Sequence, residues 1–461
     1  MSKTVKSSVG LGGGRFKPYL SYKDSGVEWL GEIPAYWDVR RLKDYGKLLG
    51  GSGFPHEHQG IEGEELPFYK VGDLVHAPDG KTLGMPPHSI SRRTALELRA
   101  RVIPQCSIVY AKIGAALYLN RRRITPTQCC IDNNMTAYAP HQTKATSGWS
   151  FYWMTNLDFG ALANPGAVPS LSEGYQSTLP LLVPPIAEQE YISGFLDWET
   201  AKIDALIAKK ERLIELLQEK RTGLITQMVT KGLDPNVPMK DSGVEWLGEI
   251  PAHWDILQLR RAVNHFVDYR GATPTKTSHG VPLVTAGNVK NESIDFSLIE
   301  EFISEEDYDY WMVRGLPERG DVVVTTEAPL GESAQIIDTR VALAQRIILL
   351  KANKQKVTND YLKYHFAAMS GKAELMTRAT GSTALGIKAS RLKQSLITVP
   401  PLDEQIEIAD FIRSQNSQIY SIIDKIRGAI ELVKEYRTAL ISAAVTGKIN
   451  VRKLFNNGGK I

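Results

Sequence analysis

The side chains in this sequence best equipped to recognise a ligand are basic and amide groups set among glycines, serines and threonines. In the first half these are Lys70 and Lys112 near Gly-containing turns, the run Arg121, Arg122 and Arg123, and the pair Asn133 and Asn134. In the second half, Arg270 is followed by Thr273, Thr275 and Lys276, and Asn288, Lys290 and Asn291 flank another loop. Arg378, Ser382 and Thr383 surround Gly381, with Lys388 and Arg391 just beyond. Arginine offers two parallel donors to guanine, asparagine pairs with adenine, and lysine and hydroxyls mostly grip phosphate. These residues are the expected nucleic-acid contacts, with Arg121–Arg123 going chiefly to phosphate. The formal net charge of +4 permits such binding without requiring it.

The groups that catalysis needs are not assembled. A phosphate-cradling loop requires a glycine five positions before its Gly-Lys. Gly371-Lys372 has Phe366 there and Gly447-Lys448 has Ser442. The Asn-Pro-Pro-aromatic motif of adenine methyltransferases finds only Asn164-Pro165-Gly166. Asp79-Gly80-Lys81 lacks carboxylate partners at the spacing of a nuclease site, and His56 and His58 lie in a Gly-rich stretch that reads as an exposed loop. Cys106, Cys129 and Cys130 fit neither a disulfide framework nor a metal site. No apolar run reaches the ~18 residues of a membrane span, and no signal peptide is evident. The expectation is a cytoplasmic binding module without metal or catalytic residues.

The elements that must position these side chains are written twice. KDSGVEWLGEIPA at 23–35 returns letter for letter at 240–252, and Trp37-Asp38 is matched by Trp254-Asp255. A second block repeats further on. Val183-Pro184-Pro185 matches Val399-Pro400-Pro401, and Glu188-Gln189 matches Glu404-Gln405. Arg221-Thr222 matches Arg437-Thr438, and Val229-Thr230 matches Val445-Thr446. Between the blocks lie stretches of nearly equal length and little identity, with echoes such as LPFYKVGDL at 66–74 against VPLVTAGNV at 281–289. A kept framework with two unlike insertions is how a protein presents two similar platforms with different reading surfaces.

The second shared block carries a heptad seam at Ile419, Ile422, Ile426, Ala429, Val433, Tyr436, Leu440 and Ala443. The first gives Ile203, Leu206, Lys210, Leu213, Leu217, Lys220, Leu224 and Gln227, with Ile207, Ile214, Ile225 and Met228 widening one side. Each helix follows a Pro-Pro pair, has Glu188 or Glu404 in its first turn, and ends before Gly232 or Gly447. Each seam needs a partner, and the other copy, running antiparallel, is the obvious one. About 29 residues at ~1.5 Å each make a rod of ~43 Å, roughly 12 base pairs of DNA at ~3.4 Å per pair. Trp29, Trp37, Trp246 and Trp254 should pack the framework.

The variable regions read as compact α/β domains. Strands are expected at Ser107–Lys112, Thr136–Ala139, Val322–Thr326 and Arg346–Leu350, and helices at Ser150–Leu162 and Asn359–Thr377. The fold class is α+β: two pseudo-symmetric α/β target-recognition domains separated by an antiparallel coiled coil of two long helices. The expected boundaries are a tail at 1–21, the first domain with its lead at 22–182 and the first helix region at 183–232. The second domain with its lead follows at 233–398, the second helix region at 399–450 and a tail at 451–461.

KDSGVEWLGEIPAYW, the VPPIAEQE and VPPLDEQ boundaries and the EKRTGLITQMVTKG tail together resemble the Type I restriction-modification specificity subunits, over residues of about 20 to 450. The resemblance implies a non-catalytic reader of a bipartite double-stranded DNA site, each domain taking one half. It implies two modification subunits that use S-adenosylmethionine to methylate adenine, and motor-nuclease subunits that use ATP and Mg; all these cofactors sit on partners. Leu206–Met228 and Ile422–Val445 would set the spacer and dock the modification subunits. Lys210 and Lys220 depart from an apolar seam and mark either a partner contact or local fraying. A methylation-only or Type II-like specificity subunit, or a coiled-coil scaffold, would share this framework.

Overall fold

The structure is a computed structural model, and it describes residues 16–164, 166–271, 273–381 and 385–452. Ser382 and Thr383 lie outside the described residues. The chain divides into two compact units, Met1–Lys210 with Gly428–Ile461, and Glu211–Arg427.

In the first unit the lead segment forms a hairpin of Tyr22–Asp24 with Glu32–Pro34, and Asp38–Arg41 pairs with Pro180–Val183. Between these last two lie the strands β1 (Gly46–Gly50), β2 (Leu66–Tyr69), β3 (Ser89–Ile90), β4 (Ile108–Ala111), β5 (Arg122–Ile124), β6 (Cys130–Ile131) and β7 (Met135–Pro140). Four of them form an antiparallel sheet in the order β1-β7-β4-β5. A smaller sheet places β2 between β3 and β6, with β2 and β6 parallel. β4 is buried along its whole length, as a strand covered on both faces should be. Helix α1 (Ser147–Thr155) is capped by Thr146, which accepts a hydrogen bond from Trp149 N, and it buries Trp149 and Trp153 against the sheet.

Helix α2 (Ile186–Lys231) follows, and its residues up to Lys210 belong to this unit. The second unit then repeats the plan with β8 (Val263–Asp268), β9 (Lys276–Thr277), β10 (Val281–Val284), β11 (Val289–Lys290), β12 (Ser293–Ile294), β13 (Phe302–Ile303), β14 (Val322–Thr326), β15 (Leu330–Gln335), β16 (Ala342–Leu343) and β17 (Ile347–Ala352). The large sheet has the order β8-β17-β14-β15. In the small one β10 pairs antiparallel with β13 and parallel with β16. Helix α3 (Asn359–Ala367) takes the place of α1, again behind a threonine cap, Thr358. Helix α4 (Leu402–Val445) closes the series, and its residues from Gly428 onward belong to the first unit.

The expected helices over Ser150–Leu162 and Asn359–Thr377 are each two helices. Asp158 starts a new one at Phe159 by accepting from Gly160 N and Ala161 N. In the second unit an extended Ala368 interrupts the run before Met369–Arg378.

Both long helices enter each unit antiparallel. In the first unit Glu188 lies near Arg452 at 3.7 Å, while Asp204 pairs with Arg437 at 3.2 Å, so the order reverses between partners. In the second, Gly232 lies beside Glu404 and Arg221 sits over the Tyr420 ring at 5.0 Å. The buried stripe differs from the expected phase. On α4, Ile419, Ile423, Ile426 and Ile430 are buried, while Ile422 is 45% exposed. On α2, Ile203 is buried and Ile207 and Ile214 are half-buried, whereas Leu206 and Leu213 are 43% and 45% exposed. Adjacent isoleucines at 422 and 423 satisfy either phase, and the side that also carries Ile207 and Ile214 buries more apolar surface.

The repeated lead segments serve as sockets for the helix ends. In the first unit Trp37 is fully buried and donates from Nε1 to Glu188 at 3.3 Å, alongside the hydroxyls of Tyr19 at 2.8 Å and Tyr36 at 3.0 Å. In the second, Trp254 donates to Glu404 at 3.0 Å, with His253 at 2.8 Å. Burial and the neighbouring carboxylate push the Tyr36 hydroxyl up to about 12. Gly447 (φ +70) ends α4 against Pro34 and Trp37, and Gly232 (φ +75) ends α2 against Trp254. Of the other repeated tryptophans, Trp246 packs partly buried against the second core, while Trp29 stays 54% exposed and stacks on Trp153.

Candidate nucleic-acid interface

In each unit the framework leaves one edge built from loops. In the first, the turn between β6 and β7 exposes Asn133 and Asn134. Asp132 shapes it by accepting from Asn134 N at 2.8 Å. Lys112, just past β4, donates its backbone N–H to Asn134 O, and its ammonium lies over Gly50. Lys70 follows β2 and donates to Gln59 at 2.9 Å. Register places Arg121 at this same end of the sheet, because Tyr110 faces Arg122 and Ala111 faces Met135. Lys70, Lys112, Arg121, Asn133 and Asn134 therefore share one edge.

The arginine run does not act as a block. Arg122 points inward and is 2% exposed. Its guanidinium donates to the carbonyls of Asn120 and Leu157 and lies 4.0 Å from the Phe159 ring centroid. Burial pulls its pKa down to about 10. Arg122 is thus a strut of the fold, a correction to its place among surface contacts. Arg123 is half-buried, donates to Arg122 O at 2.7 Å, and is held below the usual guanidinium range by burial.

In the second unit Thr273 and Thr275 are exposed on the loop after β8, and Lys276, exposed at the start of β9, pairs with Glu301 at 2.7 Å. Arg270 donates to Ile387 O at 2.6 Å, tying that loop to the one carrying Lys388. A bridge between Glu327 and Gly386 brings the same loop beside Arg346, which lies 3.8 Å from Glu327. Arg378 is ion-paired with Glu374, and its carbonyl accepts from Arg391 at 3.1 Å. Asn288 is fully buried. It accepts from Thr285 N and Oγ1 and donates to Asp295 O and Ile299 O, so every polar atom of its amide is engaged. Asn288 is a turn-former rather than a surface group, the second correction. Lys290 and Asn291 are exposed on the β11–β12 hairpin, whose central residues Asn291 (φ +53) and Glu292 (φ +58) are both left-handed. Glu292 in turn forms an ion pair with Arg221 of α2, whose side chain is only 8% exposed.

Strand pairing reveals two residues that the sequence reading passed over. β17 occupies the place of β7, so the turn before it, Gln345 and Arg346, corresponds to Asn133 and Asn134. No identity links the two turns; the signal is their common position immediately before equivalent strands.

Among the described residues no group of His, Cys, Asp or Glu is placed to hold a metal, and no helix is long and apolar enough to cross a membrane. Cys129 and Cys130 are buried free thiols, and burial pushes Cys130 up to about 11.

Comparison with known proteins agrees with this architecture. The family model of the Type I restriction modification DNA specificity domain matches residues 271–432. The chain is 20% identical to the type I restriction enzyme EcoKI specificity subunit of Escherichia coli K12, over 92% of this chain and 91% of that protein. It is 25% identical to the type I restriction enzyme MjaVIII specificity subunit of Methanocaldococcus jannaschii, over 62% of this chain and 66% of that protein. Its fold matches a chain from a solved type I R-M system, studied for complex assembly and conformational transition. That match has a TM-score of 0.58 and 15% identity, and covers 90% of this chain and 98% of that one.

Proposed function

The chain belongs to the Type I restriction-modification DNA specificity subunits, and from that membership we propose that each unit reads one half of a split DNA site through the loop edge described above. Specificity subunits are non-catalytic, so the chemistry falls to companions. Two modification subunits carrying S-adenosylmethionine methylate adenine, and motor-nuclease subunits powered by ATP with Mg cleave, all within the cytoplasm. The recognition domains are residues 22–182 and 233–398, and the helix regions 183–232 and 399–450 join them.

One observation carries this reading. Once the shared framework is set aside, the turns at equivalent positions before β7 and β17 present base-reading residue types in unrelated sequence, Asn133-Asn134 in the first unit and Gln345-Arg346 in the second. Lys70, Lys112, Arg121, Asn133 and Asn134 serve the first half-site. Arg270, Thr273, Thr275, Lys276, Gln345 and Arg346 serve the second, with Lys290, Asn291, Arg378, Lys388 and Arg391 as flanking contacts. Leu206–Met228 and Ile422–Val445 set the number of unread base pairs and dock the modification subunits. Leu206, Leu213, Leu216, Ile422 and Leu432, between 43% and 67% exposed, support that docking.

The test is to exchange residues 40–180 for those of a relative and sequence the methylated genome. We expect one half of the methylated motif to change and the other to persist. A change in both halves overturns the reading.

A further inference from the structure

The loop edges of the two units differ in one respect that bears on what they can read. In the second unit a cavity of about 330 Å3 opens there, with Thr273, Lys276, Leu283, Glu301, Gln345 and Arg346 in its lining. Backbone pairing identifies the counterparts in the first unit. Leu283 N donates to Glu301 O at 2.8 Å, as Phe68 N donates to His88 O at 2.9 Å. Glu301 therefore stands where His88 stands, and Leu283 where Phe68 stands. Phe54-Pro55 after β1 corresponds to Thr273-Pro274 after β8.

In the first unit these positions plug the space. Phe54 stacks on Phe68 with ring centroids 3.8 Å apart, and His88 meets Phe54 edge-on at 5.6 Å. The His88 Nδ1 accepts from Gly60 N at 2.9 Å. In the second unit threonine and leucine replace both rings, and a carboxylate replaces the imidazole. Glu301 Oε1 is paired with Lys276, but Oε2 is buried and accepts no hydrogen bond from any described residue. A buried acceptor without a donor is costly, more so when charged, so this oxygen lacks a donor that a ligand could bring. The space suffices for such a ligand, since a void of ~150 Å3 already admits a six-membered ring.

We propose that Glu301 is a specificity-determining residue of the second unit, accepting a hydrogen bond from the exocyclic amino group of a DNA base whose edge enters this cavity. The inference rests on the reading of this loop edge as DNA-facing. A carboxylate has acceptors only. In the major groove it matches the N4 amino group of cytosine or the N6 amino group of adenine and repels the O6 of guanine and the O4 of thymine. The Lys276 ammonium offsets its charge against the phosphates, and the Gln345 amide lies in the same lining to engage the neighbouring ring nitrogen.

The experiment uses the full chain assembled with its modification subunits and duplexes carrying its methylated motif. In each duplex one base of the second half-site lacks its amino group: purine for adenine, or 2-pyrimidinone for cytosine. We expect the unaltered protein to lose about tenfold in affinity at one position, and Glu301→Ala, which has no side-chain acceptor, to show no further loss there. Whether purine or 2-pyrimidinone gives that loss tells adenine from cytosine. Equal losses in the two proteins at every position overturn the proposal. So does the absence of any analogue effect on the unaltered protein, which needs no variant to fold. Arg346→Ala separates the two levels. If it weakens binding while Glu301→Ala leaves the analogue profile intact, only this inference fails. If neither substitution alters binding, the DNA-facing reading of the edge fails as well.

Discussion

Phe54 and Phe68 stack in the first unit where Thr273 and Leu283 leave an opening in the second, yet a few strands away Trp37 and Trp254 are held in the same way. Each tryptophan is fully buried, and each donates to a glutamate in the first turn of a long helix. The contrast shows where this fold admits change. A socket residue is fixed from several sides: by the lead hairpin, by the start of one helix and by the glycine that ends the other. A residue on the loop edge touches other loops, and a substitution there is absorbed by its immediate neighbours. One backbone plan can therefore carry a plugged edge in one unit and an open one in the other.

The largest effect should come from the part held in common. Trp37→Ala and Trp254→Ala each remove a fully buried ring and take one donor from a glutamate, and each should cost about 3–5 kcal/mol. Denaturant unfolding followed separately in the two units, by a probe placed in each, measures this. Near-equal losses, each in its own unit, sharpen the equivalence of the sockets. A loss at one tryptophan and none at the other breaks it.

The next effect is confined to one unit. Counting from the threonine caps, His365 on α3 occupies the position of Trp153 on α1. His365 is 2% exposed, and burial pulls its pKa down to about 4 from an ordinary 6.5. The unfolded chain then binds a proton that the native state refuses between those values, so stability falls as pH drops from about 6.5 towards 4 and levels off below. The shift corresponds to roughly 3 kcal/mol. Acid unfolding should strike the second unit first, and His365→Trp should remove the sensitivity. An unchanged acid midpoint in that variant would mean another group sets it.

The two helix ends offer a finer comparison. Gly447 and Gly232 both adopt positive φ, but a methyl at 447 would press on the Pro34 ring at 2.3 Å. At 232 it would meet the Glu404 carboxylate at 3.0 Å and the Trp254 ring at 3.2 Å, both wider than the Pro34 contact. Both Ala substitutions should destabilise by about 1–2 kcal/mol, with Gly447→Ala the costlier. Thermal midpoints of the two single variants decide the order, and the reverse order would refute the steric account.

Much of this plan is legible in the sequence, because duplication prints the framework twice and the caps have their own residue signatures. Val322–Thr326 is a strand with the bounds read from its β-branched run. The seam phase was not legible, since Ile422 and Ile423 satisfy two heptads equally and only packing chooses. Asn288 looked like a surface amide because its Thr285 partnership closes a single turn that spacing alone does not reveal. Gln345 and Arg346 were missed for the opposite reason. Nothing in their letters matches Asn133 and Asn134, and only the pairing of the following strands aligns them. Glu301 belongs to the same class, since its likeness to His88 lies in one backbone hydrogen bond.

Arg121, Arg122 and Arg123 give the smallest effect and the sharpest division between reading edge and framework. Successive side chains of a strand face opposite sides, so Arg122 and Arg123 on β5 cannot both face one ligand. Arg122 is the member turned inward, against Phe159, and Arg121 stands at the end of the sheet that carries Lys112 and Asn134. Arg121→Ala should weaken DNA binding by about fivefold and lower the slope of log affinity against log salt by about 1, as expected for one lost phosphate contact. Arg122→Ala should lower the melting temperature instead and leave the slope unchanged, because its guanidinium already serves two backbone carbonyls. Binding isotherms over a salt series separate the two outcomes. Equal slope changes from both variants would mean that Arg122 can leave its interior site for phosphate.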